Sequence, residues 1–216
     1  MNKRSEKTAA AGIVYVVGAG SVYPDDFRFE RKAEDLVIAA DAGYLALKNA
    51  GMEPDVLVAD FDSMPEPVFS GRLVRLPVVK DDPDTVYAVK EGLRLGYGKF
   101  VILGALGGRR FSHSLANLQT LAFLKREGGE GELKYGNTSV KLLSEGDDVC
   151  FTASDSGTVS LFSYAERSEV TIRGLQYEGE AIELRDDFPL GVSNHLTGAS
   201  GEIIILKGTV VFVHER

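Results

Sequence analysis

Cysteine, tryptophan, basic clusters and long apolar runs are scarce or missing in this chain, and each shortage removes a class of protein. A single cysteine, Cys150, excludes an intrachain disulfide and a cysteine-rich metal cluster, and is expected to be a small buried apolar residue. There is no tryptophan among the 216 residues, so any ring stacking falls to tyrosine or phenylalanine. No segment approaches the ~20 apolar residues of a membrane span. Met1 to Gly12 is polar and then alanine-rich, without the apolar core of a signal peptide. A cytoplasmic protein with no membrane partner is the expectation. The 24 Lys and Arg against 32 Asp and Glu leave a formal charge of −8 with no basic block, so nucleic acid is not an expected partner either. Such a chain can still bind a polyphosphate, provided a cation separates the two sets of negative charge.

What the chain does have is apolar content, 44% of its residues, arranged in two rhythms. From Ile13 to about Leu143, apolar runs alternate with helical patterns. The runs are Ile13 to Val17, Leu36 to Ala40, Val56 to Ala59, Leu73 to Val79 and Phe100 to Leu103; the helices fall at Gly43 to Ala50, Thr85 to Leu95 and Ser114 to Lys125. After about Glu145 short strand-like pieces take over: Thr158 to Phe162, Glu169 to Ile172, Ala181 to Leu184, and a terminal hairpin of Ile203 to Leu206 with Thr209 to Val213 across Lys207-Gly208. The expected class is α/β. An N-terminal Rossmann-like parallel sheet with helices on both faces is assigned to residues 12–144, and a small C-terminal all-β sandwich domain to 145–216.

In open α/β sheets ligands gather at the carboxyl ends of the strands, so the residues after each run carry most weight. Asp60-Phe61-Asp62-Ser63 closes the run Val56 to Ala59, and side-chain alternation with period two puts both acids on one side. Two carboxylates there suit Mg²⁺, a hard cation that takes oxygen ligands; a plain polar turn is the competing reading. Asp81 is a third strand-end acid. Asp82, Pro83 and Asp84 read equally well as a helix start, with Asp at the N-cap and Pro at N1. Gly18-Ala19-Gly20 is either a phosphate turn or a tight turn. In Gly107-Gly108-Arg109-Arg110 the glycines let backbone amides approach phosphate and the arginines offer planar donors, with His113 following; an exposed basic turn is the alternative.

Several of these pieces, in order, resemble the thiamin pyrophosphokinase family. Its landmarks are an Asp-Gly-Gly-like turn, Gly-Asp-Phe-Asp-Ser, Lys-Asp-x-x-Asp, Gly-Gly-Arg-x-Asp-His followed by Leu-x-Asn, a Ser-Leu strand and a late Ser-Asn. This chain has Asp41-Ala42-Gly43, Ala59-Asp60-Phe61-Asp62-Ser63, Lys80-Asp81-Asp82-Pro83-Asp84, Gly107 to Asn117, Ser160-Leu161-Phe162, Gly174-Leu175-Gln176-Tyr177 and Gly191-Val192-Ser193-Asn194. The resemblance implies transfer of a pyrophosphoryl group from ATP to thiamin, leaving AMP, by a homodimer with sites between subunits. It implies catalytic roles for Asp41, Asp60, Asp62 and Asp84, and Mg²⁺ at Asp60, Asp62, Asp81 and Asp84. ATP falls to Gly18, Gly20, Lys80, Gly107, Gly108, Arg110, His113 and Asn117, and the aminopyrimidine of thiamin to Ser193 and Asn194 in the β domain.

The chain also departs from the family. Ala42 and Ala59 replace glycines, one extra residue follows Gly107-Gly108, and Ser112 stands where the family has aspartate before His113. The Ser112 change leaves room for a homologue that binds without turnover or has altered specificity. The run Val56 to Asp62 also looks like the nucleophile motif of haloacid-dehalogenase-type phosphatases, although that motif belongs near an N-terminus and no terminal β domain accompanies it.

Overall fold

The computed structural model describes residues 10–62, 64–79, 82–108 and 110–216. They form two compact units, the first ending at Gly136 and the second starting at Asn137. Among the described residues no helix is long and apolar enough to cross a membrane.

The first unit runs β1 (Ala10–Val17), a 3-10 turn (Pro24–Phe27), β2 (Leu36–Ala40), α1 (Gly43–Asn49), β3 (Val56–Ala59), β4 (Arg72–Arg75), α2 (Asp84–Arg94), β5 (Tyr97–Leu103), α3 (Phe111–Arg126) and β6 (Glu130–Tyr135). Its strands lie in the order β6-β5-β1-β2-β3-β4, with parallel ladders throughout. Unbroken apolar strands such as Val56–Ala59, buried at every position, demand cover on both faces. One face gathers Tyr15, Val17, Val37, Ala39, Leu57 and Leu103 with Tyr44 and Leu47 of α1. The opposite residues Val14 and Phe100 pack on Gly92 of α2, where a Cβ would sit 2.6 Å from the Phe100 ring. Helix α3 joins that side: Leu121 and Leu124 cover Gly131 of β6, and Lys90 of α2 lies over the Phe123 ring. Glu91 is buried in α2, yet hydrogen bonds from Arg94 hold its carboxyl below the usual range, and Arg72 adds a 3.0 Å ion pair.

Two expectations for this unit need correction. The run Leu73 to Val79 is a strand only to Arg75; Pro77, which has no N–H to give a ladder, follows, and Val78 and Val79 are exposed. Asp82 is not the N-cap of α2, because Pro83 occupies that place and Asp84 is the first helical residue. The Asp82 carboxylate pairs instead with Lys90.

The second unit contains β7 (Thr138–Ser144), β8 (Asp148–Phe151), β9 (Thr158–Ser163), β10 (Arg167–Arg173), β11 (Gly179–Arg185), β12 (Gly191–His195), β13 (Gly201–Lys207) and β14 (Thr209–Glu215). Antiparallel ladders order them as β12-β9-β14-β7 and β11-β10-β13-β8. Inward residues of both layers, among them Val159, Leu161, Val210, Phe212, Val170, Ile172, Ile203 and Ile205, share one core. The expected terminal hairpin does not exist. Only Gly208, with φ 80°, separates β13 from β14, too short a link for strand pairing, so the chain crosses from one layer to the other. Cys150 is exposed rather than buried. It lies on edge strand β8, whose alternation turns Phe151 inward and Cys150 outward, and a hydrogen bond to Asp148 raises the thiol pKa.

Gly43 is one of the fold's tightest joints, because a Cβ there would lie 1.9 Å from the Val17 carbonyl oxygen. Gly43→Ala is expected to cost roughly 1–3 kcal/mol through forced backbone movement. Gly98→Ala, which meets nothing within 4 Å, should be neutral or slightly stabilising. Urea unfolding of the two variants checks the contrast; equal effects would disprove it.

Candidate functional site

The strand order reverses between β2 and β5, on either side of β1, so the carboxyl ends of β1 and β5 frame a crevice. Gly18 and Gly20 lie there, and their N–H groups donate to the carbonyls of Leu103 (2.8 Å) and Gly104 (3.0 Å). A Cβ on Gly20 would lie 2.2 Å from the Gly104 oxygen. These glycines are thus required by backbone packed on backbone. Their two amides are already engaged, and the phosphate turn read from the sequence has a structural explanation of its own.

Two strands from β1, past the end of β3, Asp60 and Asp62 are brought together by a turn rather than by strand alternation. The chain leaves β3 at Ala59, Phe61 adopts φ 62°, and the Asp62 N–H donates to Asp60 Oδ1 at 3.0 Å. The Phe61 ring is held by the Arg75 guanidinium, 5.1 Å from its centre. Asp41 closes β2 with φ 50°, and its N–H donates to the Val58 carbonyl at 2.8 Å, which locks the β2 end onto β3. As a result, one carboxylate oxygen each from Asp41, Asp60 and Asp62 lies within 4.8 Å of the others. Like charges this close repel, and three hard oxygen donors suit a divalent cation.

Asp41 and Asp84, the latter opening α2, both line a cleft of about 430 Å³ with Gly20, Gly107, Arg110 and His113. Asn117 lines it too, but its carboxamide donates to the Ala105 carbonyl at 2.7 Å and so fastens the loop before the glycine turn. Helices α2 and α3 begin at this cleft and turn the positive ends of their dipoles toward it. Gly107 and Gly108 take φ values of 67° and 82°, which only glycine adopts without strain. Lys80, Asp81 and Arg109 lie outside the described residues.

The departures from the family pattern are mild where geometry bears on them. Ala42 has φ −60° and ψ −7°, ordinary helical values, and Ala59 is a buried strand residue, so neither position needs glycine. Ser112 is exposed in the first turn of α3 and is not among the residues lining the cleft.

In the second unit, Gly191 to Asn194 lies in strand β12, with a register shift against β9 and Ser193 at φ 57°. Asn194 is buried; its Oδ1 accepts the Tyr177 N–H (2.9 Å) and its Nδ2 donates to the Tyr177 carbonyl (2.7 Å). Both residues border a mainly apolar cavity of about 460 Å³ between the two layers. Ser193 itself is exposed, and its N–H donates to Ser160 Oγ at 3.0 Å.

The sequence assigned Asp41 a catalytic role but gave no sign of it as the third member of the acid cluster. Its partners stand at the end of another strand, and only the β2–β3 pairing joins them. Ser21 of the cleft, and the aromatic pair Tyr23 and Tyr135 behind it, had no sequence signal beyond ordinary loop and strand composition.

Residues 28–130 match the family model described as thiamin pyrophosphokinase, catalytic domain. Among solved structures, a thiamine pyrophosphokinase from Bacillus subtilis superposes with a TM-score of 0.82 at 19% identity, covering 94% of this chain and 98% of that one. A thiamin pyrophosphokinase from Geobacillus thermodenitrificans gives 0.80 at 22% identity, covering 94% and 97%, and one from Candida albicans 0.77 at 16%, covering 94% and 88%. At these identities the likeness is one of fold. Comparison with curated protein sequences gives no match. The segment from residue 28 to residue 130, which carries the acid cluster at the ends of β2 and β3, thus matches the thiamin pyrophosphokinase catalytic-domain family.

Proposed function

We propose that this chain is an ATP-dependent thiamin diphosphokinase, transferring a pyrophosphoryl group from ATP to thiamin to give thiamin diphosphate and AMP. The observation that carries the reading is the cluster of Asp41, Asp60 and Asp62, inside the segment that matches the family model. The same match speaks against the phosphatase alternative.

The three carboxylates fit Mg²⁺ by donor type and spacing, with Asp84 across the cleft and Asp81 as further candidates. When bound, Mg²⁺ would offset phosphoryl charge and orient the polyphosphate. The protein's own part is positioning and electrostatics. Gly107, Gly108, Arg110 and His113, with the amino ends of α2 and α3, receive phosphate oxygens, and Lys80 joins them by its place in the family pattern. The thiamin hydroxyethyl oxygen attacks the β-phosphorus in line, the bond to the α,β-bridging oxygen breaks, and that oxygen leaves on AMP. Asp41, the buried member of the cluster, accepts the alcohol proton or completes the carboxylate set. The acceptor belongs to the β unit. Ser193 offers an exposed hydroxyl to the aminopyrimidine, and Asn194 secures the Tyr177 backbone beside it. The active protein is a cytoplasmic homodimer with two shared sites.

Asp62→Asn removes one hard donor without touching the core, and Mg²⁺-dependent AMP release should fall about 10- to 100-fold with unfolding unchanged. Full activity across a magnesium titration would sink the metal assignment. Ser112→Asp should leave AMP release within about twofold and add roughly 0.3–1 kcal/mol of stability from the α3 dipole. A large gain in rate would instead identify the serine as a catalytic defect. Mixing Asp62→Asn chains with Asn194→Ala chains should restore part of the AMP release, since one of the two sites in each mixed dimer has both halves intact. No recovery, after subunit exchange is verified by mass, would put both halves of each site in one chain.

A further inference from the structure

The 3-10 turn after β1 carries a buried carboxylate that the chemistry above does not use. Asp26 is 8% exposed, and its two oxygens take different partners: Oδ2 accepts the Tyr23 N–H at 2.7 Å and Oδ1 the Gly136 N–H at 2.8 Å. A carboxylate accepting two backbone amides is a charge-assisted clamp. Here it joins the start of the turn to the end of β6, positions 110 residues apart.

The clamp sets two rings side by side. Tyr23 and Tyr135 lie with centroids 4.8 Å apart at 46°, and their hydrogen bond raises the Tyr135 pKa above the ordinary tyrosine value. Tyr23 also covers Gly136, where a Cβ would lie 2.8 Å from its ring. On its other side Tyr135 meets Gly107: a Cβ on that glycine would lie 3.1 Å from Tyr135 Cζ and 3.3 Å from its hydroxyl oxygen. Ser21, two residues before Tyr23, faces Gly108 in the same way at 3.6 Å from Oγ. Thus the loop from Gly20 to Tyr23 and the Gly107-Gly108 turn, both walls of the cleft, rest on one carboxylate and two rings.

We infer that Asp26 is a positioning residue for the Gly107-Gly108 turn, acting through Tyr23 and Tyr135, and that its effect is specific to the nucleotide side of the reaction. The nucleotide part rests on the proposed function; the positioning part does not. Asparagine at position 26 keeps one acceptor oxygen and turns an NH₂ toward the second amide, so one strut is lost while size is kept. Removing the Tyr135 ring takes away the backing of Gly107, whereas phenylalanine retains it.

The test uses the full chain and two readouts. In Asp26→Asn and Tyr135→Ala, amide exchange in the peptide spanning residues 104–112 should accelerate while peptides from the second unit stay as in the parent. Mg·ATP affinity by calorimetry, and KM for ATP, should weaken about tenfold with kcat and thiamin KM within twofold, because misplacement of a binding turn costs affinity for the group it holds. Tyr135→Phe should remain within about twofold throughout, since the ring is preserved. Unchanged exchange in residues 104–112 overturns the positioning role. Faster exchange with unaltered ATP affinity, or equal losses for both substrates, overturns its nucleotide specificity. If the parent protein binds no Mg·ATP, it is the functional reading that fails, and the exchange arm still decides the positioning. Should Tyr135→Ala not fold, Asp26→Asn carries both readouts alone.

Discussion

Backbone meets backbone at the carboxyl ends of β1 and β5 with no room for a side chain, and the first unit's site is organised by that approach. Gly20 rests on the Gly104 carbonyl, Gly104 on that of Gly18, and Gly43 on that of Val17. Because none carries a Cβ, the ends of the two central strands and the start of α1 converge on one crevice. A larger residue at any of these points would push the loops apart and widen the cleft that holds the candidate chemistry.

Around this joint the acids are placed by main-chain geometry that costs energy. Asp41 and Phe61 both take positive φ, rare outside glycine, and stand just past the ends of adjacent strands that meet through the Asp41 amide and the Val58 carbonyl. Strained residues persist where the surroundings over-determine them, and they concentrate at sites. The compensation is visible: Phe61 packs on the core and under Arg75, and Asp60 satisfies the Asp62 amide. Ser193 is a third such residue, at the β12 irregularity.

The second unit solves a different problem. Its two antiparallel layers must share one core, and the short connection at Gly208 sends β13 and β14 into separate layers although they are neighbours in sequence. At the cavity between those layers Asn194 is consumed in holding Tyr177, so a carboxamide that reads as a free recognition group is in the fold a structural strut.

Apolar continuity by itself determined a good deal. Leu36–Ala40 and Val56–Ala59 are strands with the bounds their hydrophobic runs suggest, and the α/β-then-β progression follows from the change in rhythm. Asp60, Asp62 and the glycine turn at 107–108 were legible because strand ends and glycine pairs leave local marks. Burial of Cys150, a hairpin at Gly208 and an N-cap at Asp82 were misread, since each depends on which edge, layer or turn the neighbours occupy. The units divide at Gly136 and Asn137, so β7 groups with the second although its run reads as a continuation of the first. What only the tertiary structure decided is which distant groups share a space: Asp41 with Asp60 and Asp62 through strand pairing, and Asp26 with Gly136 through a single carboxylate. Sequence periodicity reports how one element meets solvent and core, whereas these contacts come from the order of strands in the sheet, which no single segment encodes.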